Sequence, residues 1–187
     1  MTADKENLKD KISHPKGMSD EVRRNLRNAF GSFATGVTVV TTREADGTPR
    51  GFTANSFTSV SLDPPMLLIC IAKSAHSLQA FERSSHFSVN ILSEEQREVS
   101  GLFASRQIEK FELADWHAGF ADMPLISGSI ASFVCAQENL VDAGDHVVLI
   151  GLVKDVTNTV GTPLGYFKGN YFSLGLDQPL VSAATAR

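Results

Sequence analysis

The 187 residues carry 17 Lys and Arg against 21 Asp and Glu, a net charge of −4 with a pI near 5.7. That balance lacks the basic surplus with which nucleic-acid binders neutralise phosphates. Hydrophobic residues reach 42% and charged residues 20%, enough for one cored domain, and no apolar run approaches the roughly 20 residues of a membrane-spanning helix.

Residues 1–17 are polar and charged, with no apolar segment of a secretory signal. They are expected to be a flexible lead-in to a cytoplasmic domain over 18–176. A helix is predicted from Ser19, with Asp20 and Glu21 in its first turn and an apolar face of Val22, Leu26, Ala29, Phe30 and Phe33. Arg23, Arg24 and Arg27 form its solvated side. The pattern then turns to β: GVTVVTT (36–42), an Asp46-Gly47 turn, and a second strand over Arg50 to Thr58. Asp63-Pro64-Pro65 interrupts the ladder, and MLLICIA (66–72) reads as a strand buried on both faces. A short helix over Ser77 to Glu82, a strand over 86–92 and a Ser93-capped helix over Glu94–Phe103 follow. Residues 104–128, with the lone Trp116, are less regular. Strands over 129–139 and 145–157 flank a turn at 142–145, Gly165–Leu174 reads as one last strand, and 177–187 is a weak tail. Many short strands with few helices and no strand–helix alternation predict a mainly β barrel rather than a doubly wound sheet.

Cys70 and Cys135 sit in apolar runs and read as buried, inert thiols. The five histidines show no metal-ligand spacing, so no metal is expected. No GxGxxG follows a strand, and neither a phosphate loop nor a nucleophile elbow is present.

Three segments carry candidate chemistry. Thr53 to Pro65 packs five hydroxyls and Asn55 beside apolar strands. Small polar residues let a flat ring lie against backbone while donors meet its polar edge, but a half-exposed polar strand has the same composition. Ala72-Lys73-Ser74-Ala75-His76-Ser77 joins a strand end to a helix start, a setting for an anion or for an ordinary Ser cap. His146 opens a strand on the face of Val148 and Ile150, as a ligand contact or a structural histidine.

GSFATGVTVVTT (31–42), GFTANSFTSVSLDPPMLLICIAKSAHS (51–77), FSVNIL (87–92), GLFAS (101–105) and GDHVVLIGLV (144–153) together resemble the short-chain flavin reductases, the reductase components of two-component flavin-dependent monooxygenases. The resemblance runs from about Leu26 to Leu174. It implies a split β-barrel of the FMN-binding, Greek-key type with a few flanking helices, typically a homodimer. It also implies hydride transfer from NADH, with NADPH the alternative, to FMN or FAD, and supply of reduced flavin to a partner monooxygenase. By motif, Thr53, Ala54, Asn55, Ser56, Ser59 and Ser61 would contact the isoalloxazine. Ala72, Lys73, Ser74 and Ser77 would lie near the ribityl chain and phosphate, and Phe103 near the flavin. His146 would be the histidine of the nicotinamide site, with Tyr171 a second candidate there. Relatives that reduce another acceptor, such as a cobalt corrinoid, and non-enzymatic flavin or haem carriers are the competing readings.

Overall fold

Ser19 starts the first helix, α1 (Asp20–Phe30), by accepting a 3.3 Å hydrogen bond from the Val22 amide, and Asp20 and Glu21 occupy its positive end. The computed structural model describes residues 18–174, so the expected lead-in and the tail over 177–187 lie outside the described residues. Of the predicted apolar stripe only Val22 is buried, and Phe30 and Phe33 are 74% and 77% exposed. The spacing is helical, but the described chain packs little against it.

A short β1 (Thr35–Gly36) leads to β2 (Thr38–Arg43), which turns through Gly47 at φ +88° into β3 (Pro49–Ala54). The predicted strand over Arg50–Thr58 is broken at Asn55–Phe57: β4 (Thr58–Leu62) is a separate element that pairs with β5 (Pro65–Ala72). Then come α2 (Leu78–Arg83), β6 (His86–Ile91), a 3₁₀ turn over Glu94–Gln96 and α3 (Arg97–Ala104). The Ser93 amide donates to the Gln96 side chain at 3.0 Å, fixing the start of this segment. Residues 104–128 supply α4 (Lys110–Leu113) and a ribbon of β7 (Trp116–Ala118) with β8 (Pro124–Ile126). Two long strands, β9 (Ala131–Ala143) and β10 (His146–Asn158), form a hairpin whose turn has positive φ at Gly144. The predicted last strand is instead a hairpin of β11 (Leu164–Phe167) and β12 (Asn170–Ser173). Lys168 and Gly169 both take positive φ, the backbone twist that suits a two-residue hairpin.

The main sheet has seven antiparallel strands in the order β3-β2-β6-β9-β10-β5-β4, and β1, β11 and β12 form a second sheet. The seven strands curl around a core that includes Val40, Ile69, Ile71, Phe81, Phe87, Val89 and Leu149. This is a split β-barrel with flanking helices. Gly151 is required where β10 crosses the core, since a Cβ there would lie 2.6 Å from Phe87 and 2.7 Å from Cys135. On β5 the expectation of two buried faces is corrected. Leu67, Ile69 and Ile71 point into the barrel, whereas Met66, Leu68 and Cys70 point outward and are half-buried. Cys70 is therefore not the buried thiol its apolar run predicts.

One buried polar hub joins the barrel to the ribbon. Asn90 donates to the Val39 carbonyl (3.0 Å) and the Ser88 hydroxyl (3.3 Å). It accepts from the Ile126 amide (3.1 Å) and the Ser132 hydroxyl (2.9 Å). Asn90 is 0% exposed, so its truncation strands buried donors that water cannot reach. Asn90→Ala is expected to lower unfolding stability by about 3 kcal/mol, read from the urea midpoint at constant slope; a loss of under about 1 kcal/mol would refute this account.

Candidate functional site

The three residues Asn55–Phe57 carry the chain from β3, at one edge of the seven-stranded sheet, to β4 at the other. Phe57 anchors the crossing by stacking on Phe133 with ring centroids 5.8 Å apart. The Ser56 hydroxyl accepts from the Cys70 amide at 2.9 Å and donates to the Cys70 carbonyl at 3.3 Å. The barrel mouth is thus laced shut by one serine, and a cleft of about 790 Å³ opens beside it.

β3 forms one wall of this cleft. As an edge strand it bonds only β2, so half of its peptide groups have no ladder partner. Thr53 is fixed by donating to the Ser100 carbonyl at 2.6 Å, and the Thr38 hydroxyl donates to the Ala54 carbonyl at 2.9 Å. Facing β3 stands Phe103 at the end of α3. Gly51 makes that approach possible, because a Cβ there would be 2.9 Å from the Phe103 ring. Phe103 is braced edge-on by Phe111 at 5.1 Å, and Phe111 in turn by Trp116 at 5.6 Å. Lys110 donates to the Phe103 carbonyl at 2.8 Å, and burial lowers its ammonium below the ordinary lysine value.

The opposite margin comes from Cys70, Ala72, Ser74 to Ser77 and His146. His146 pairs with Ala72 across β5 and β10, and its Nδ1 lies 2.7 Å from Asp145 Oδ1. The hydrogen bond from His146, and then its charge, holds the Asp145 carboxyl below the usual carboxylate range. This contact orients the imidazole and leaves Nε2 as its free nitrogen. Ser77 precedes α2 but makes no capping bond, so its hydroxyl is uncommitted.

Nine of the thirteen residues expected from sequence line this cleft: Thr53, Ala54, Asn55, Ser56, Ala72, Ser74, Ser77, Phe103 and His146. Four do not. Ser59 and Ser61 lie on β4 beyond the crossing, on either side of a register shift against β5. Lys73 points to Asp142, with Nζ 2.5 Å from Oδ1. Tyr171 packs in a second cluster and bonds the Ser100 hydroxyl at 2.8 Å, so it supports α3 from behind. Sequence reasoning missed Cys70, the Glu44–Arg50 pair, Arg106 and Lys110, all on the cleft wall. The two cations in SRQIEK, directly after GLFAS, were the available signal. Among the described residues, no group of three His, Cys, Asp or Glu side chains is placed to hold a metal.

A reductase component of a flavin-dependent trigonelline monooxygenase from Acinetobacter baylyi is 52% identical over 150 residues, which is 80% of this chain and 48% of that protein. The reductase subunit HsaB of a flavin-dependent monooxygenase from Mycobacterium tuberculosis is 39% identical over 79% of this chain and 80% of its own. The NADH:FAD oxidoreductase SgcE6 of Streptomyces globisporus, solved with NAD and FAD fragments, superimposes with a TM-score of 0.80. It is 37% identical, over 85% of this chain and 96% of its own. The chain spans about half the length of the two curated relatives it matches first. The family model for the flavin reductase-like domain matches residues 30–175, most of the barrel and every wall of the cleft, and the chain belongs to that family.

Proposed function

We propose that this chain, through a functional domain at 18–176, is an NADH-dependent flavin reductase that delivers reduced FMN or FAD to a separate monooxygenase. The observation that carries the reading is the cleft at the laced mouth of the barrel. There an edge strand with free peptide groups, the Phe103 ring and the uncommitted groups of Asn55, Ser74, Ser77 and His146 converge. These residues fit a flavin: free peptide groups suit the polar edge of a flat heterocycle, the buried Phe103 ring backs that strand behind Gly51, and the two serines suit a hydroxylated chain.

When bound together, NADH and flavin supply the chemistry, a hydride passing from nicotinamide C4 to flavin N5. The protein's contribution is placement. β3, backed by Phe103, would fix the plane of one ring, and His146, held by Asp145, would contact the nicotinamide through Nε2. Peptide N–H donors along Thr53–Ser56 would stabilise negative charge on a reduced flavin. The lining is open to solvent beside Arg106 to Ile108, with Ile108 81% exposed, which suits a product that must leave. Relatives named as monooxygenase reductase components support the partner.

A second copy of the chain completes the assembly. The outward pairs Leu68 with Ile150 and Met66 with Leu152 form an apolar face across β5 and β10, beyond the cleft margin at Cys70. Leu62 is 94% exposed at the end of β4, and Phe30 at the end of α1 and Phe33 just beyond it are also exposed. A single-chain antiparallel sheet normally presents polar residues outward, and apolar patches of this kind mark interfaces. Sedimentation velocity is expected to give twice the 20.2 kDa chain mass; a monomer at micromolar concentration would defeat this part of the proposal.

The central test is NADH oxidation, followed by nicotinamide absorbance, with and without added FMN, FAD or riboflavin. Turnover that requires flavin is expected; a protein that binds flavin yet never consumes NADH would be a carrier instead. His146→Ala should raise the KM for NADH about tenfold, the worth of one hydrogen bond, while flavin affinity moves far less. Equal damage to both would remove His146 from the nicotinamide site.

Ligand placement has a chemical readout as well. Burial pushes the Cys135 thiol up to about 12, so it stays protonated and inert at any pH below that value, whereas Cys70 lines the cleft. Iodoacetamide near neutral pH is expected to label Cys70 first, and saturating FMN or FAD to slow that labelling severalfold. Labelling of Cys70 at the same rate with and without flavin would place the flavin elsewhere.

A further inference from the structure

The cleft does not end at the barrel mouth. It continues along β3 to the β2–β3 turn, where Glu44, Pro49 and Arg50 line it. At the rise of a strand this is roughly 16 Å of wall between Ala54 and Pro49, more than a stacked pair of rings occupies. The two ends differ in chemistry. Near the mouth stand neutral hydrogen-bonding groups; at the turn stands an ion pair, Arg50 Nε 2.6 Å from Glu44 Oε1. Glu44 is the sole carboxylate among the described lining residues. The two side chains are 32% and 37% exposed, open enough to meet a ligand and close enough to hold each other.

Resting on the reductase reading above, we propose that the Glu44–Arg50 pair is the coenzyme-selecting element of this cleft. It receives the adenosine half of the dinucleotide and accepts a free ribose 2′-hydroxyl while rejecting a 2′-phosphate. With the nicotinamide stacked at the mouth, the rest of the dinucleotide follows the remaining wall along β3. Glu44 keeps its second oxygen, Oε2, as an acceptor for a ribose hydroxyl, the pairing by which carboxylates read that group elsewhere. A 2′-phosphate would bring close to two further negative charges against that carboxylate. Arg50, the guanidinium that could neutralise them, already serves Glu44. Charge selection therefore lies in the pair: Glu44 repels, and it also withholds the cation.

The test uses Glu44→Gln and the double variant Glu44→Gln/Arg50→Ala. Dissociation constants for NAD⁺ and NADP⁺ are measured by calorimetry on flavin-free protein. kcat/KM for NADH and NADPH is measured with riboflavin, which carries no phosphate of its own to compete for the turn. The unsubstituted protein is expected to favour NAD⁺. In Glu44→Gln the preference for NAD⁺ over NADP⁺ should fall at least about tenfold, the scale of one close charge contact in a half-exposed setting, and the double variant should lose the gain in NADP⁺ affinity. An unchanged ratio in Glu44→Gln overturns the proposal. So does a change confined to KM for FAD against FMN when these replace riboflavin in the assay, which would put the flavin's own adenosine at the turn. Unsubstituted protein that oxidises neither coenzyme defeats the reductase reading itself, whereas an active protein with an unmoved ratio defeats only the selecting role of Glu44.

Discussion

The shortness of the crossing at Asn55–Phe57 constrains everything else. Laid flat, a seven-stranded sheet would hold its outer strands about 29 Å apart, six spacings of roughly 4.8 Å. The four Cα steps from Ala54 to Thr58 reach at most about 14 Å. Because β3 and β4 occupy opposite edges, the sheet has to curl until its edges meet. The paired Ser56–Cys70 hydrogen bonds hold the seam at the point where β3 hands over to β5. The barrel and the cleft beside its mouth are two consequences of one covalent limit.

That seam also redistributes the polar groups. The hydroxyl-rich segment looks like a row of ligand contacts, but several of its members are already committed. Ser56 is bound to Cys70, and Thr53 to the Ser100 carbonyl, whose own hydroxyl bonds Tyr171. Such groups have little left to offer a substrate. Their work is to fix a strand edge whose peptide groups remain free, and a rigid row of backbone donors is better suited to a developing anion than hydroxyls that must reorient. Tyr171 takes part in the same way, through Ser100 and Thr53, without reaching the cleft.

The sequence was legible where local rules govern. Ser19 and Ser93 mark helix starts, Gly144 marks a hairpin, and β-branched runs give β2, β6 and β10. It failed where the decision is non-local. Nothing in RGFTANSFT says that the strand stops at Ala54, since the break exists only because β4 must pair with β5 on the far edge. GYFKGNYF hid a hairpin because Lys168 adopts positive φ, a conformation its side chain does not advertise. The site divides the same way. Motif order pointed to β3, Ala72 and His146, while Arg50, Arg106 and Lys110 carry no pattern of their own. They reach the cleft by folding of a hairpin and of a region with no clear periodicity.

The two long walls are built for different tasks. Phe103 is immobilised from several directions at once: Gly51 admits it, Phe111 and Trp116 brace it edge to face, and the Lys110 ammonium holds its carbonyl. Interlocking contacts of this kind leave a ring few alternative rotamers. A few residues beyond Phe103, Arg106 to Ile108 stand in solvent with little packed against them, where ordering a ligand would be costly and releasing it easy. An enzyme that keeps its flavin needs both sides closed. The proposed delivery of reduced flavin needs a fixed surface to orient the ring and an unfixed one to let it go, and this cleft sets the two side by side.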